Sequence, residues 1–206
     1  MADPTRISTL LQTAADPLPS QIGVTQAQLA ARNRDLSEEV TRLRLRVLEL
    51  EAAADLDPML PIFNRRAFVR EVERAQSVMA RYALMSSIIF FDLDDFKQVN
   101  DRYGHGIGDR LLEGVADCLS AGVRQCDMVA RLGGDEFGVL LFKSDMEIAK
   151  AKAASLACRL GDLAIAHPDG DVGIGASWGV APCDPDEPAA RILERADRAM
   201  YLDKRS

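Results

Sequence analysis

Residues 130–141 read ARLGGDEFGVLL. Two glycines, Gly133 and Gly134, precede two acids, Asp135 and Glu136, and an apolar run suited to a buried strand. A hairpin turn accounts for the glycines but not for adjacent carboxylates beside a hydrophobic stretch. A second apolar run, SSIIFFD, ends in Asp92. If the two strands are neighbours, Asp92 and Asp135 project from the same end of a sheet, where they repel unless a cation lies between them. Mg2+ suits that place: it is a hard ion, usually held by one or two carboxylates together with substrate phosphates. Glycine at 133 and 134 would then let a bulky ligand approach the backbone.

The elements that must position these acids can be read along the chain. A helix is expected over about 64–81, then the β-rich SSIIFFDLDD, a helical turn or two in DDFKQVNDRYG, and an amphipathic helix in GDRLLEGVADCLSAGV. DMVARL and FGVLLF read as strands joined by the Gly-Gly turn. MEIAKAKAASLACRLGDL reads as a long helix, VGIGASWGVAP as a strand and AARILERADRAMYLDKR as a closing helix. The order β-α-α-β-β-α-β-α with a central hairpin predicts an α+β domain, its sheet mostly antiparallel and flanked by helices.

Upstream, Leu29, Leu36, Leu43 and Leu50 recur every seven residues, and Asn33, Val40, Val47 and Ala54 recur on the same period. With the leucines at d and the second set at a, this is a coiled-coil seam. Val at a, Leu at d and an a-position Asn favour a parallel dimer. Glu39 can reach Arg44 of the partner, and Arg46 can reach Glu51, each pair contributing only about 0.2–1 kcal/mol. Pro58 and Pro61 end the helix. The chain therefore divides into a leader over 1–23, with a short helix at 5–14, a dimerisation helix over 24–56 and a catalytic-size domain over 57–206.

Net charge is −7 and the pI is near 4.9, which argues against broad nucleic-acid binding or an anionic membrane surface. Cys118, Cys126, Cys158 and Cys183 form no CxxC and no Cys/His cluster, as expected of reduced thiols in a cytoplasmic protein. No secretory signal and no stretch of 18 apolar residues is present.

GGDEF at 133–137, FDLDDFKQVND at 91–101, GHGIGD at 104–109 and RADRAMYLDK at 195–204 occur together in this order. On these motifs the segment 57–206 resembles the diguanylate cyclases, the GGDEF family. The resemblance implies a palm-like nucleotidyl cyclase fold that condenses two GTP into cyclic di-GMP and two pyrophosphates across a homodimer interface. It implies Mg2+, with Mn2+ as a substitute, held by the side chains of Asp92 and Asp135 and the carbonyl of Leu93. Asp135 would also take the proton of the attacking hydroxyl, and Glu136 is linked to metal binding or catalysis. Asn100 and Asp109 would read the guanine edge. Phe96, Lys97 and the 93–97 backbone would embrace the triphosphate, Lys97 would assist catalysis, Lys204 would add charge, and His105, Gly133 and Gly134 would complete the pocket. One physical point agrees: guanine offers two adjacent N–H donors, N1 and N2, and the acceptor-only carboxylate of Asp109 fits them where adenine would not.

RQCD at 124–127 has the form RxxD, and five residues separate it from Gly133. In the family this is the spacing of a product-inhibition site, which implies that Arg124 and Asp127 bind cyclic di-GMP. A further arginine would come from Arg74, Arg81 or Arg159. The chain departs from the family at DPMLPIFNRR, where Leu60-Pro61 replaces the usual Thr-Gly, and at Asp203. It also ends at Ser206, ahead of the usual Gly-Arg-Asn, so that either Arg205 substitutes or GTP affinity is lower. The alternative is a non-catalytic receptor that binds GTP or cyclic di-GMP and signals through its coiled coil.

Overall fold

The computed structural model describes residues 19–53 and 55–203. The expected helix at 5–14, seam position Ala54, and Lys204 and Arg205 lie outside the described residues. The chain divides into two compact units, residues 1–51 and 52–206. Among its described residues the first is helical, formed by α1 (Pro19–Ala53), whose last two residues fall in the second unit and whose first is a proline, a residue the first helical position accepts because its missing N–H would have no partner there. Along α1, Leu29, Leu36, Val40 and Leu43 are exposed. Arg42 pairs with Glu39 one turn away at 3.2 Å, so Glu39 already has a partner within its own helix.

The second unit runs β1 (Phe63–Asn64), α2 (Arg65–Tyr82), β2 (Ser86–Leu93), α3 (Phe96–Tyr103), α4 (His105–Gly122), β3 (Met128–Arg131), β4 (Glu136–Phe142), α5 (Met146–Gly161), β5 (Ala164–Ile165), β6 (Val172–Gly173), β7 (Ala176–Pro182) and α6 (Ala189–Asp203). The main sheet has the order β1-β3-β4-β2-β7. Every neighbouring pair is antiparallel except β1 with β3. The expected α+β architecture is therefore present, with a mostly antiparallel sheet and flanking helices.

β2 is buried almost throughout because it is central and covered on both faces. Strand alternation sends Ile89, Phe91 and Leu93 to one side, where they pack with Leu111, Val115, Leu156 and Leu160 of α4 and α5. It sends Ile88 and Phe90 to the other, against Phe68 and Val72 of α2 and Ile192 and Leu193 of α6. Phe68, Phe91 and Phe137 are fully buried, and each such side chain stabilises the fold by about 1.5–3 kcal/mol. Helix starts are locally encoded: the Asn64 side chain accepts the Ala67 N–H at 3.0 Å, and Asp145 accepts that of Ile148 at 2.9 Å. A side chain at Gly179 would run into the α6 backbone at Ala196 and Met200, so this glycine lets α6 lie directly on β7.

The segment VGIGASWGVAP differs from the single strand expected of it. It divides at Ile174-Gly175 into β6, which pairs with β5, and β7, which pairs with β2. At the break the Gly175 carbonyl accepts the Asp94 N–H at 2.9 Å. The Ser177 hydroxyl donates to the Asp94 carboxylate at 2.7 Å. Among the described residues, no helix is long and apolar enough to cross a membrane.

Candidate functional site

The β2–β4 ladder brings the acids together. Asp92 pairs with Glu136 in register, and the Leu93 N–H donates to the Asp135 carbonyl at 3.1 Å. The turn between β3 and β4 closes through the Glu136 carbonyl, which accepts from Leu132 at 2.8 Å and Gly133 at 3.3 Å. The two glycines are not equivalent. A Cβ on Gly133 would strike the Glu136 carboxylate, whereas one on Gly134 would meet open space. Gly133 therefore makes room for its own hairpin's glutamate, and only Gly134 faces a cleft.

That cleft, about 400 Å³, is lined by Phe96, Lys97, Asn100, His105, Asp109, Gly134 and Asp135, all singled out in the sequence. Its lining also includes Met59, Asp101, Leu112 and Arg131, to which the sequence reading assigns no role. Asp92, Leu93, Gly133 and Glu136 are not among its described lining residues. Gly108 has a supporting part: a Cβ there would collide with the Asn100 amide, so its bareness seats Asn100. At the junction of α3 and α4, Gly104 turns the chain at φ 83°, a conformation that favours glycine.

The acids of DLDD take separate roles. Asp92 faces Glu136, and Asp94 ties the loop to β7. Asp95 adopts the left-handed conformation at φ 55° just before α3 and accepts from the Gln98 side chain at 2.7 Å. A left-handed residue leading into a helix N-terminus turns successive N–H groups toward one concavity, a form that suits phosphate.

Glu136 lies on the other side of the turn from the cleft, in a cavity of about 270 Å³ that Arg65 and Asp197 also line. Burial pushes its carboxyl above the ordinary value of 4.5, and Asp92, Asp135 and Asp197 add to the rise while Arg65 opposes it. Arg65 stands 4.0 Å from Glu136 and also donates to the Leu132 carbonyl at 3.2 Å. Arg131 holds the turn from within: its Nε donates to the Gly133 carbonyl at 3.0 Å and its Nη2 to that of Gly134 at 2.7 Å. Its Nη1 reaches Asp57 at 3.4 Å, and Asp57 in turn accepts the N–H groups of Met59 and Leu60, both at 3.0 Å.

Among the described residues, no three His, Cys, Asp or Glu side chains are gathered closely enough to hold a metal by themselves. The expected ligands, the Asp92 and Asp135 carboxylates and the Leu93 carbonyl, offer hard oxygens. They fit a cation that shares its coordination with phosphate and water.

Arg124 and Asp127 line a different cavity, of about 220 Å³, with Pro61, Ile62 and Phe63. They bond each other twice, the Arg124 N–H donating to the Asp127 carboxylate and the Asp127 N–H to the Arg124 carbonyl, both at 2.9 Å, and the Phe142 N–H reaches the same carboxylate at 3.1 Å. Arg74, Arg81 and Arg159 are not among the described lining residues.

Comparisons with known proteins bear on the family and the fold. The family model described as "Diguanylate cyclase, GGDEF domain" matches residues 54–206. The chain is 35% identical over 181 residues to the diguanylate cyclase TpbB of Pseudomonas aeruginosa (strain UCBPP-PA14), covering 83% of this chain and 40% of that protein. It is 34% identical over 172 residues to the probable diguanylate cyclase DgcE of Escherichia coli (strain K12), covering 81% of this chain and 15% of that protein. The chain thus spans less than half the length of these curated relatives. Among solved structures, the coiled coil and GGDEF domain of DgcB from Caulobacter crescentus, in complex with c-di-GMP, is similar at a TM-score of 0.72 and 27% identity. That match covers 86% of this chain and 94% of the other. With a family match over most of its length and the fold to accompany it, the chain belongs to the diguanylate cyclase GGDEF domain family.

Proposed function

We propose that the protein is a diguanylate cyclase, joining two GTP molecules into cyclic di-GMP with release of two pyrophosphates. The observation that carries this reading is the shared cleft: Asp109 and Asn100 line it together with Lys97 and Asp135. The Asp109 carboxylate accepts the N1 and N2 hydrogens of guanine. Met59, Phe96 and Leu112 supply apolar surface for the base. Lys97 and the N-terminus of α3 offset phosphate charge. Asp135 accepts the proton of the 3′-hydroxyl as that oxygen bonds to the α-phosphorus of the facing nucleotide and the bond to pyrophosphate breaks. Asp92, Asp135 and the Leu93 carbonyl are the residues that would hold Mg2+, which when bound lowers the pKa of the hydroxyl and neutralises charge on the transferring phosphate.

One cleft serves one nucleotide, whereas the product contains two, so two domains must face each other. The exposed Leu29, Leu36, Val40 and Leu43 of α1 support pairing through a parallel coiled coil. Such a tether raises the effective concentration of one loaded domain at the other. The separate cavity at Arg124 and Asp127 supports feedback by the product.

The test is to incubate the purified protein with GTP and Mg2+. Cyclic di-GMP and pyrophosphate are expected, with no cyclic dinucleotide from ATP and no product from Asp135→Ala, which should remain folded and dimeric. A protein that binds GTP but leaves it intact would overturn the enzymatic reading in favour of a receptor.

A further inference from the structure

Met59 carries no motif, yet its thioether sits at a junction. The side chain lines the cleft with Phe96 and Leu112, and the residue is 39% exposed. Its sulfur lies 3.3 Å from Nη1 of Arg131. Arg131, only 15% exposed, holds the Gly133-Gly134 turn and Asp57 with its other contacts. A half-exposed methionine therefore sets its sulfur against the guanidinium that holds the turn. Other methionines offer a contrast. Met128 and Met200 are buried. Met85 is 52% exposed but precedes the opposite end of the β2–β4 ladder.

We propose that Met59 is a modification site: a peroxide-class oxidant converts its thioether to the sulfoxide, and the sulfoxide weakens binding of a guanine nucleotide in the cleft. The effect on affinity rests on the reading of the cleft as a guanine-nucleotide site, whereas the chemistry at sulfur does not. In the step, a sulfur lone pair attacks one peroxide oxygen. The S–O bond forms as the O–O bond breaks, and the departing hydroxide takes the proton of the transferred oxygen to leave as water. Sulfur loses two electrons and the peroxide gains them. A thioether is a weak acceptor, while a sulfoxide is polar. The new oxygen competes with the Gly134 carbonyl for Arg131 and places a polar group in the apolar wall formed with Phe96 and Leu112. Methionine sulfoxide reductases reverse the change.

The experiment treats the full chain with hydrogen peroxide, then with excess thiol to reduce reversibly oxidised Cys126 and Cys158. Binding is measured with 3′-deoxy-GTP, which lacks the attacking hydroxyl, and a peptide map by mass spectrometry locates added oxygen. Each protein is compared with its own untreated sample, so that Met59→Leu, a change of similar volume, tests the oxidisable sulfur even though it also removes the contact with Arg131. The expected result is oxygen on Met59 and Met85, an affinity loss of about tenfold in the wild type, no loss in Met59→Leu, and recovery after methionine sulfoxide reductase. Unmodified Met59 under conditions that oxidise Met85, unchanged binding despite a modified Met59, or an equal loss in Met59→Leu would each overturn the proposal. If the untreated protein does not bind 3′-deoxy-GTP, the guanine-nucleotide reading falls and takes the effect on affinity with it, and the peptide map still decides the modification.

Discussion

Asp92 and Glu136 oppose each other directly on the β2–β4 ladder, so their side chains share one face of the sheet, while Asp135, adjacent in sequence to Glu136, lines the cleft. Like charges placed opposite each other across two strands destabilise a sheet. The arrangement therefore works against stability at the point where the proposed chemistry needs negative charge.

Glu136 should report its burial, and beside it the repulsion from neighbouring acids, through pH. Its folded-state value is raised above 4.5, so the folded protein holds this proton more tightly than the unfolded chain. Its contribution to stability then falls as pH rises from the ordinary value through the raised one. Glu136→Gln should melt above the wild type at pH 7, with the gap closing below about pH 4.5. Glu136 is partly exposed, so solvent screening keeps the effect small. Melting curves of both proteins from pH 4 to pH 8 check the sign, and a wild type that is more stable at pH 7 would refute it.

Arg131→Ala should destabilise the domain by about 1–3 kcal/mol, because the largely buried Asp57 carboxylate loses its cationic partner and keeps only the Met59 and Leu60 N–H groups. The same change frees the Gly133 and Gly134 carbonyls, so turnover should drop more than nucleotide affinity. Urea unfolding of the Arg131→Ala, Asp57→Ala and double variants gives the coupling. Additive effects would show that the pair does not act as a unit.

The two glycines should respond differently. Gly133→Ala meets the Glu136 carboxylate and should lower both stability and activity. Gly134→Ala enters open space and should fold like the wild type, although the methyl group intrudes on the cleft and should weaken nucleotide binding. Adding Glu136→Ala to Gly133→Ala should recover stability. Thermal melts together with a nucleotide titration distinguish the three proteins.

Removal of residues 1–54 keeps Asp55, whose carboxylate engages Arg66 and Arg70 of α2, so the domain should fold. It should be monomeric and bind one GTP. Its specific activity should collapse at low protein concentration and recover as concentration rises, mass action replacing the lost tether. Equal activity of truncated and full-length protein at nanomolar concentration would assign α1 another role.

Feedback should depend on the cavity beside Pro61 and Phe63. Added cyclic di-GMP should slow the wild type, and Arg124→Ala should relieve the inhibition without changing the initial rate. An unchanged wild-type rate would leave RQCD as a structural turn, in which the Asp127 carboxylate already holds two backbone N–H groups.

The sequence alone determined whatever rests on local periodicity and turn chemistry. The apolar runs of β2 and β4 and the heptads of α1 recur at spacings that physics ties to strand or helix. Motif spacing named seven residues that the cleft gathers. Other features depend on segments far apart in the chain. Arg131 meets Asp57 across 74 positions and Ser177 meets Asp94 across 83, and loops carry no period from which such partners could be read. Met59 and Leu112 became cleft residues only when the 57–62 turn and α4 reached the same edge of the sheet. The 172–182 segment split because Gly175 accepts from Asp94, a bond that exists only once β2 and β7 lie side by side. Local patterns specify which elements form; tertiary packing decides which side chains from distant elements meet, because each such contact depends on the positions of both segments at once.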